Sequence, residues 1–435
     1  MIKSISISEL TIGMYVENVV KQKGNVRIKS RGLVKTQSIL DALKSKGILE
    51  IEVDFAKSRL PESDTKNNAG SEQLLDSDNN AESNSAADIG QLQSDTQSSS
   101  VPMRNSIKIA QIAESSSTNA IKAARHQEAL EEADKLYSQA KNVQKSFLSQ
   151  LRSGSTPNID DLNNLSQDII ESVFDNTDAL SCLLMLKDSN EYLVEHAINC
   201  AILLAMFARA KNMSEAEVED LTNAGLLMDV GMASLPRELV AKTGKLNEAE
   251  WAKMKTHVDI GVEIAEGLVD PQPIVLDVIA NHHERINGSG YPNAKTASEI
   301  SVYSQMAAIV DCYDAMISNR HHRRSVSATA ALQELERDET LDRDLVTEFI
   351  NAIGLHPVGS LVELHSKNLG IVSKRNLQHP LDPVVMIFYS LQTQLHTDVQ
   401  RVDLLEADDH IVNGVRPEEF SMNLGKFFKK VFSSG

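Results

Sequence analysis

Cysteine is scarce in this chain: 435 residues carry three, Cys182, Cys200 and Cys312, in no paired or C-x-x-C arrangement. No disulfide framework is written here, and the apolar helical contexts of Cys200 and Cys312 fit buried thiols in a reducing compartment. Aromatic residues supply only 4% of the chain, against 41% hydrophobic and 24% charged, the composition of a soluble protein. Long apolar runs are missing as well. The longest, Cys200 to Ala208, sits inside a helical pattern and falls far short of the ~20 residues that a membrane-spanning helix needs. The opening Met1-Ile2-Lys3-Ser4 has neither the basic nor the apolar region of a secretory signal, so the expected address is the cytoplasm. Positive charge is the last deficit: 43 Lys and Arg against 61 Asp and Glu leave a net charge of −18. That argues against general nucleic-acid binding, because counterion release needs a basic footprint. A small anionic ligand stays open, provided metal ions or a few arginines build a local positive site.

What is present divides the chain, which is long enough for two or three domains. Residues 1–54 read as a small α+β module. Ile5-Ser6-Ile7 and Met14-Tyr15-Val16 are short strand-like runs broken by Gly13, Ser38 to Lys46 has helical spacing through Ile39, Leu40 and Leu43, and Ile48 to Val53 is strand-like. Residues 55–105 turn polar and acidic, as in Glu62-Ser63-Asp64 and Ser77-Asp78-Asn79-Asn80. Such a segment cannot bury enough surface to offset its ordering entropy and reads as a disordered linker. Within 106–157, Leu130, Ala133, Tyr137, Ala140, Val143, Phe147 and Leu151 recur at three- and four-residue steps. This is the apolar stripe of a connecting helix, which either dimerises (a homodimer is then expected) or packs on its own domain. Helical signals fill 158–355, where Ser214-x-x-Glu217 and Asn247-x-x-Glu250 have the form of capping boxes. In 356–435 the period changes, and Leu361 to Leu364, Gly370 to Val372 and Val384 to Phe388 suggest a C-terminal β-containing appendage.

The chemistry lies in the middle of the helical region. In order come His196, Asp229, His257, the pair His282-His283, and Asp311. Imidazole and carboxylate are the donors that Mn, Fe and Zn accept, and five or six of them can hold two ions. Adjacent helical residues point about 100° apart, so His282 and His283 can serve different ions or different sides of one pocket. A carboxylate such as Asp229 can bridge two metals, and two ions together can share a hydroxide nucleophile and clamp a phosphodiester. A lone helical His is more often structural than a ligand, and His321, His322, His365 and His379 belong to that class.

The neighbours of these residues carry a resemblance. His282-His283-Glu284-x-x-x-Gly288-x-Gly290-Tyr291-Pro292 is similar to the motif that names the HD-GYP family of bacterial cyclic di-GMP phosphodiesterases. The run from Pro236 through Gly244-Lys245-Leu246, Trp251, Met254 and His257 resembles the same family, as does Asp311-x-x-Asp314-Ala315 followed by Arg320 and Arg323. Together these cover about Tyr192 to Leu335. The first fifty residues, with Gly13-Met14-Tyr15-Val16, look like the small domain of unknown function that often precedes such domains.

The resemblance implies a mainly α fold: an HD-type helical bundle with a small α+β N-terminal domain and a short C-terminal β appendage. It implies metal ligands at His196, Asp229, His257, His282, His283 and Asp311, with Asp229 as the catalytic carboxylate. It implies one or two divalent ions such as Fe or Mn, and cyclic di-GMP as the ligand. Arg320 and Arg323 would contact the ligand phosphates. The loop with Gly290, Tyr291 and Pro292 would line the pocket and meet partners such as a diguanylate cyclase or other signalling proteins. Three departures bear on activity. The family's His-Asp dyad reads Met228-Asp229, its lysine three residues later is Met232, and the acid that some members add before the first His is Tyr192, which removes support for a third metal. Asn287, where the family often has Asp, is milder. A thioether is a poor ligand for Mn or Fe, so catalysis is expected to be impaired, with a non-catalytic cyclic di-GMP- or partner-binding module as the alternative. Val218, Leu221, Gly225 and Met228 also follow helical spacing, so Met228 can simply extend an apolar stripe.

Overall fold

The computed structural model describes residues 2–22, 32–34, 48–55, 57–58, 103–185, 191–268, 272–318 and 325–420. It divides into two compact units, 1–98 and 99–435. The expected linker and the helix at Ser38 to Lys46 lie almost wholly outside the described residues.

In the first unit an antiparallel sheet has the order β1-β4-β2-β3, from β1 (Ile2–Ser6), β2 (Tyr15–Gln22), β3 (Gly32–Leu33) and β4 (Ile48–Asp54). The alternation of β4 puts Ile51 and Val53 in a small core with Ile5, Leu10, Val16 and Val34. β1 ends one residue before the sequence pattern suggests. Ser6 accepts a hydrogen bond from the Ser8 N–H and opens a 3-10 turn at Ile7–Glu9 instead.

The second unit begins with α1 (Met103–Arg152), followed by α2 (Ile159–Leu184), α3 (Tyr192–Ala210) and α4 (Glu215–Leu227). Along α1, Leu130, Ala133, Tyr137, Ala140 and Phe147 are buried against the bundle, so the stripe packs on its own domain. α2 is interrupted at Asn176, whose backbone leaves the helical region while its side chain caps Ala179. α3 is the axis of the bundle: every residue from Glu195 to Ala208 is buried. By length and composition α3 could cross a membrane, but 83% of that apolar window is buried inside the protein, as in a core helix. Both capping boxes are made, Ser214 with Glu217 at the start of α4 and Asn247 with Glu250 further on. Helices α5 (Arg237–Val240), α6 (Glu248–Lys255), α7 (His257–Glu266), α8 (Pro273–Asn281), α9 (Val302–Ile317), α10 (Ala328–Arg337) and α11 (Arg343–Ile353) complete the bundle.

A five-stranded antiparallel sheet closes this unit, in the order β8-β7-β6-β5-β9. The strands expected from sequence are β5 (Leu361–Leu364), β6 (Asn368–Lys374) and β7 (Val384–Ser390). Two more, β8 (Leu395–Asp403) and β9 (Ile411–Gly414), form the edges; β8 is largely exposed and lacks an apolar alternation. The sheet shares the bundle's core through Val362, Leu369, Ile371 and Phe388, and Arg375 ties it to Asp178 of α2 at 3.0 Å.

α3 and α4 cross so closely that a Cβ on Gly225 would lie 2.5 Å from the backbone of Ala201. Gly225→Ala tests this contact. The gain in helix propensity is about 1 kcal/mol, whereas forcing two backbones apart reaches the top of the about 1–3 kcal/mol overpacking range. The clash wins, and the urea midpoint of the variant should fall. An equal or higher midpoint would show that the two helices separate at no cost.

Candidate metal centre

Five segments bring the ligand candidates together. His196 lies in the second turn of α3, Asp229 follows the C-terminus of α4, and His257 opens α7. His282 and His283 end α8, and Asp311 projects from α9. The approach of Asp229 to His257 depends on Gly231, because a Cβ there would meet the His257 carbonyl oxygen at 1.9 Å. Ligand atoms of Asp229, His257, His282 and His283 all lie within 4.8 Å of one another. The two carboxylate oxygens of Asp229 face different partners. Oδ1 is 3.4 Å from His257 Nε2 and 3.8 Å from His282 Nε2, while Oδ2 is 3.4 Å from His196 Nε2. Asp311 Oδ1 is 3.1 Å from the same His196 Nε2, and its Oδ2 is 3.6 Å from His283 Nδ1.

The imidazoles are held from behind. His257 Nδ1 donates to the Met254 carbonyl at 2.8 Å, and His282 Nδ1 to the Val278 and Ile279 carbonyls at 3.1 Å. His196 Nδ1 donates to Asp314 Oδ2 at 2.8 Å. The first two bonds fix a tautomer whose Nε2 lone pair is turned toward Asp229, while His196 Nε2 lies between Asp229 Oδ2 and Asp311 Oδ1. His257 Nε2, His282 Nε2 and Asp229 Oδ1 are buried and have no hydrogen-bond partner. Buried polar atoms are rarely left so, and this donor set is the one a divalent ion requires.

Electrostatics agree. Burial would raise the Asp229 carboxyl, but His282, His257 and His196 around it hold it well below the usual carboxylate range. Asp311 is likewise lowered against its burial by His196 and His283. Burial pushes His257 and His283 down, which favours the neutral imidazole that binds metal. At His196, burial is outweighed by Cys200, Tyr192 and the carboxylates of Asp311 and Asp314, and its pKa is raised well above the ordinary value. Positive charge is favoured beside these two aspartates.

Behind His196 runs a buried chain that the sequence reading missed. Asn199 Nδ2 donates to Asp314 Oδ1 at 2.9 Å, and the Tyr137 hydroxyl of α1 donates to Asn199 Oδ1 at 2.9 Å. The only signal was an i, i+3 spacing, His196 with Asn199 and Asp311 with Asp314, which puts each pair on one helix face. Tyr192, in the position of the family's additional acid, stacks on His196 with ring centroids 5.2 Å apart.

The centre opens into a cavity of about 960 Å³ lined by Asp229, Asp311, His283, Tyr291 and Met232, among others. Of the loop Gly290, Tyr291 and Pro292, the tyrosine ring lines it, stacked on His283 at 4.6 Å. Glu284 holds this loop by accepting from the Asn293 and Lys295 N–H groups at 2.6 and 3.0 Å. Met228 is fully buried in the apolar core. Arg320 and Arg323, with His321 and His322, lie outside the described residues.

Residues 181–345 match the HD domain family, and residues 2–162 match a domain of unknown function, DUF3391. Over residues 181–345 the chain is similar to HD domains. A cyclic di-GMP phosphodiesterase of Pseudomonas aeruginosa is 28% identical over 424 residues, covering 96% of this chain and 93% of that protein. The cyclic di-GMP phosphodiesterase response regulator of Xanthomonas campestris is 35% identical over 131 residues, 30% of this chain and 35% of that one. A 3'3'-cGAMP-specific phosphodiesterase of Vibrio cholerae is 31% identical over 170 residues, 39% of this chain and 30% of that one. The solved structure of an HDG"Y"P protein from Bdellovibrio bacteriovorus aligns with a TM-score of 0.43 at 15% identity, over 80% of this chain and 98% of that one. The DUF3391 match runs through all of α1, so this helix continues the N-terminal domain in sequence yet packs within the HD bundle.

Asp314→Asn keeps the shape of the side chain and removes the charge behind His196. It should weaken metal binding about 10–100-fold, the usual cost of losing a partner that orients a ligand. Competition against a chelator reads this directly, and unchanged affinity would remove Asp314 from the site.

Proposed function

We propose that this HD domain is a metal-dependent phosphodiesterase for cyclic di-GMP whose turnover is reduced by Met228. The observation that carries the reading is the trio of buried, unpartnered acceptors, Asp229 Oδ1, His257 Nε2 and His282 Nε2, each imidazole locked from behind in the ligand tautomer. The donors fall into two halves around Asp229. On its Oδ1 side stand His257, His282 and His283; on its Oδ2 side stand His196 and Asp311. Divalent ions bound there would acidify a water molecule and neutralise the phosphate oxygens. Asp229 spans both halves, and Asp311 adds a second carboxylate. Tyr291 and His283 form a wall beside them, and the cavity admits a ligand of nucleotide size.

The imbalance of the two halves supports the impaired reading. The Oδ1 side keeps four donors, while the Oδ2 side is the one left short when Met228 stands in place of an imidazole. Met232 removes a cation from the same wall. These two departures also favour a second reading, a module that binds cyclic di-GMP and signals without turnover.

Metal analysis after dialysis should find about one firmly held ion per chain, because each lost ligand costs at least the about 10–100-fold of an orienting partner. Met228→His should raise the stoichiometry toward two and increase turnover of cyclic di-GMP by a similar factor. Met228→His with Met232→Lys should increase it further. Wild-type turnover equal to that of the double variant defeats the impairment. Binding of cyclic di-GMP without hydrolysis in every variant favours the signalling module, and neither binding nor hydrolysis removes the phosphodiesterase reading.

A further inference from the structure

Two arginines without partners of their own face the same cavity. Arg152 ends α1 and Arg237 opens α5; both line the cavity and neither has a hydrogen bond or ion pair among the described residues. In a chain of net charge −18, two uncompensated guanidinium groups beside one metal centre are not explained by general surface charge. The other lining arginine, Arg337, is 3.7 Å from Glu334, and the lining acid Asp338 accepts from Thr340 at 2.9 and 2.6 Å. Between these polar groups the wall is apolar, with Leu246, Met254 and Leu335. It also includes Trp251, the single tryptophan of the chain, which is 46% exposed and stands edge-on to Tyr291 at 5.8 Å. A large exposed indole costs free energy to leave in water and offers a stacking face for a base. A cavity of about 960 Å³ is also larger than one phosphodiester needs.

We propose that Arg152, Arg237 and Trp251 form a second subsite, which takes the phosphate and purine base of a cyclic dinucleotide that lie away from the metal centre. The inference rests on the phosphodiesterase reading above and joins Arg237 and Trp251, inside the HD family match, to a residue outside it. Arg152 lies outside residues 181–345 and inside the DUF3391 match, so the N-terminal family segment contributes directly to ligand recognition. The guanidinium groups provide charge-assisted hydrogen bonds to one phosphate, and the indole stacks on the base.

The single tryptophan makes the subsite observable by itself. The metal-loaded full chain is titrated with the phosphorothioate analogue of cyclic di-GMP, which resists hydrolysis. Trp251 emission and calorimetry are followed together. The expected result is a saturable change in emission whose midpoint matches the calorimetric Kd. Arg152→Ala and Arg237→Ala should each weaken Kd about tenfold or more, the worth of a hydrogen bond to a charged group. Trp251→Phe should weaken it less than either, since a smaller ring still stacks. Metal content and thermal midpoint, measured on the same variants, should match wild type, because neither arginine has a partner to lose. Saturation by calorimetry with no change in Trp251 emission overturns the subsite, as does a Kd within twofold of wild type in the double arginine variant. Absence of calorimetric binding to the wild-type chain overturns the phosphodiesterase reading together with it.

Discussion

A buried carboxylate that keeps one oxygen without a partner sets the terms for this bundle. Asp229 sits at the end of α4 with its side chain 11% exposed, its Oδ1 facing the unpartnered Nε2 atoms of His257 and His282. Removing such a charge from water costs several kcal/mol after relaxation, and the histidines around it offset that cost. The surrounding structure accepts it by fixing every neighbour. Backbone carbonyls at the end of α6 and in α8 hold two histidines, Asp314 holds the third, and Gly231 leaves room for the close approach to His257. A site that is preorganised in this way is already committed to a cation.

The same logic explains why a 50-residue helix from the N-terminal family segment is built into the HD domain. α1 contributes apolar surface, and three of its polar contacts reach the segments that lead to ligands. Lys141 pairs with buried Glu195, the residue before His196, at 2.9 Å. Tyr137 closes the chain to Asp314, and Gln144 donates at 2.9 Å to the Leu226 carbonyl, one of the last carbonyls of α4 before Met228 and Asp229. A shift of α1 along its axis would therefore disturb His196 and the end of α4 together. Packed elements move between discrete arrangements rather than continuously, so α1 fixes both positions at once.

Much of this was legible in the residues because the chemistry repeats its own constraints locally. The capping boxes at Ser214 and Asn247, the stripe on α1 and the strands β5 to β7 follow from side-chain period and orphan helix donors, which are properties of neighbouring residues. The order of the six ligand candidates was likewise visible, and the geometry brings all six to one place. What escaped notice depends on tertiary register. β8 is an edge strand whose exposed, polar residues have no reason to alternate. The Tyr137–Asn199–Asp314 chain joins residues 62 and 115 positions apart, and no local pattern announces such a pairing. Arg152 was hidden for the same reason: at the end of an amphipathic helix it looks like an ordinary favourable charge at a C-terminus.

The proposed recognition wall and the candidate metal centre come from different parts of this molecule, and on the proposed reading that separation gives the residues at 228 and 232 a physical meaning. The depleted Oδ2 half depends on the end of α4 and the 3-10 turn after it, where Met228 satisfies the core and Met232 leaves the cavity wall neutral. The proposed recognition wall comes from α1, α5 and α6, and the Oδ1 half of the centre from α7 and α8. On the proposed reading, a thioether in place of an imidazole at the base of α4 would weaken hydrolysis while leaving those other elements in place. An apolar residue at 228 needs no polar partner in the core, whereas a buried imidazole there would have to be desolvated next to Asp229. A protein in that condition would release a cyclic dinucleotide before cleaving it, and so act on this fold as a receptor rather than an enzyme.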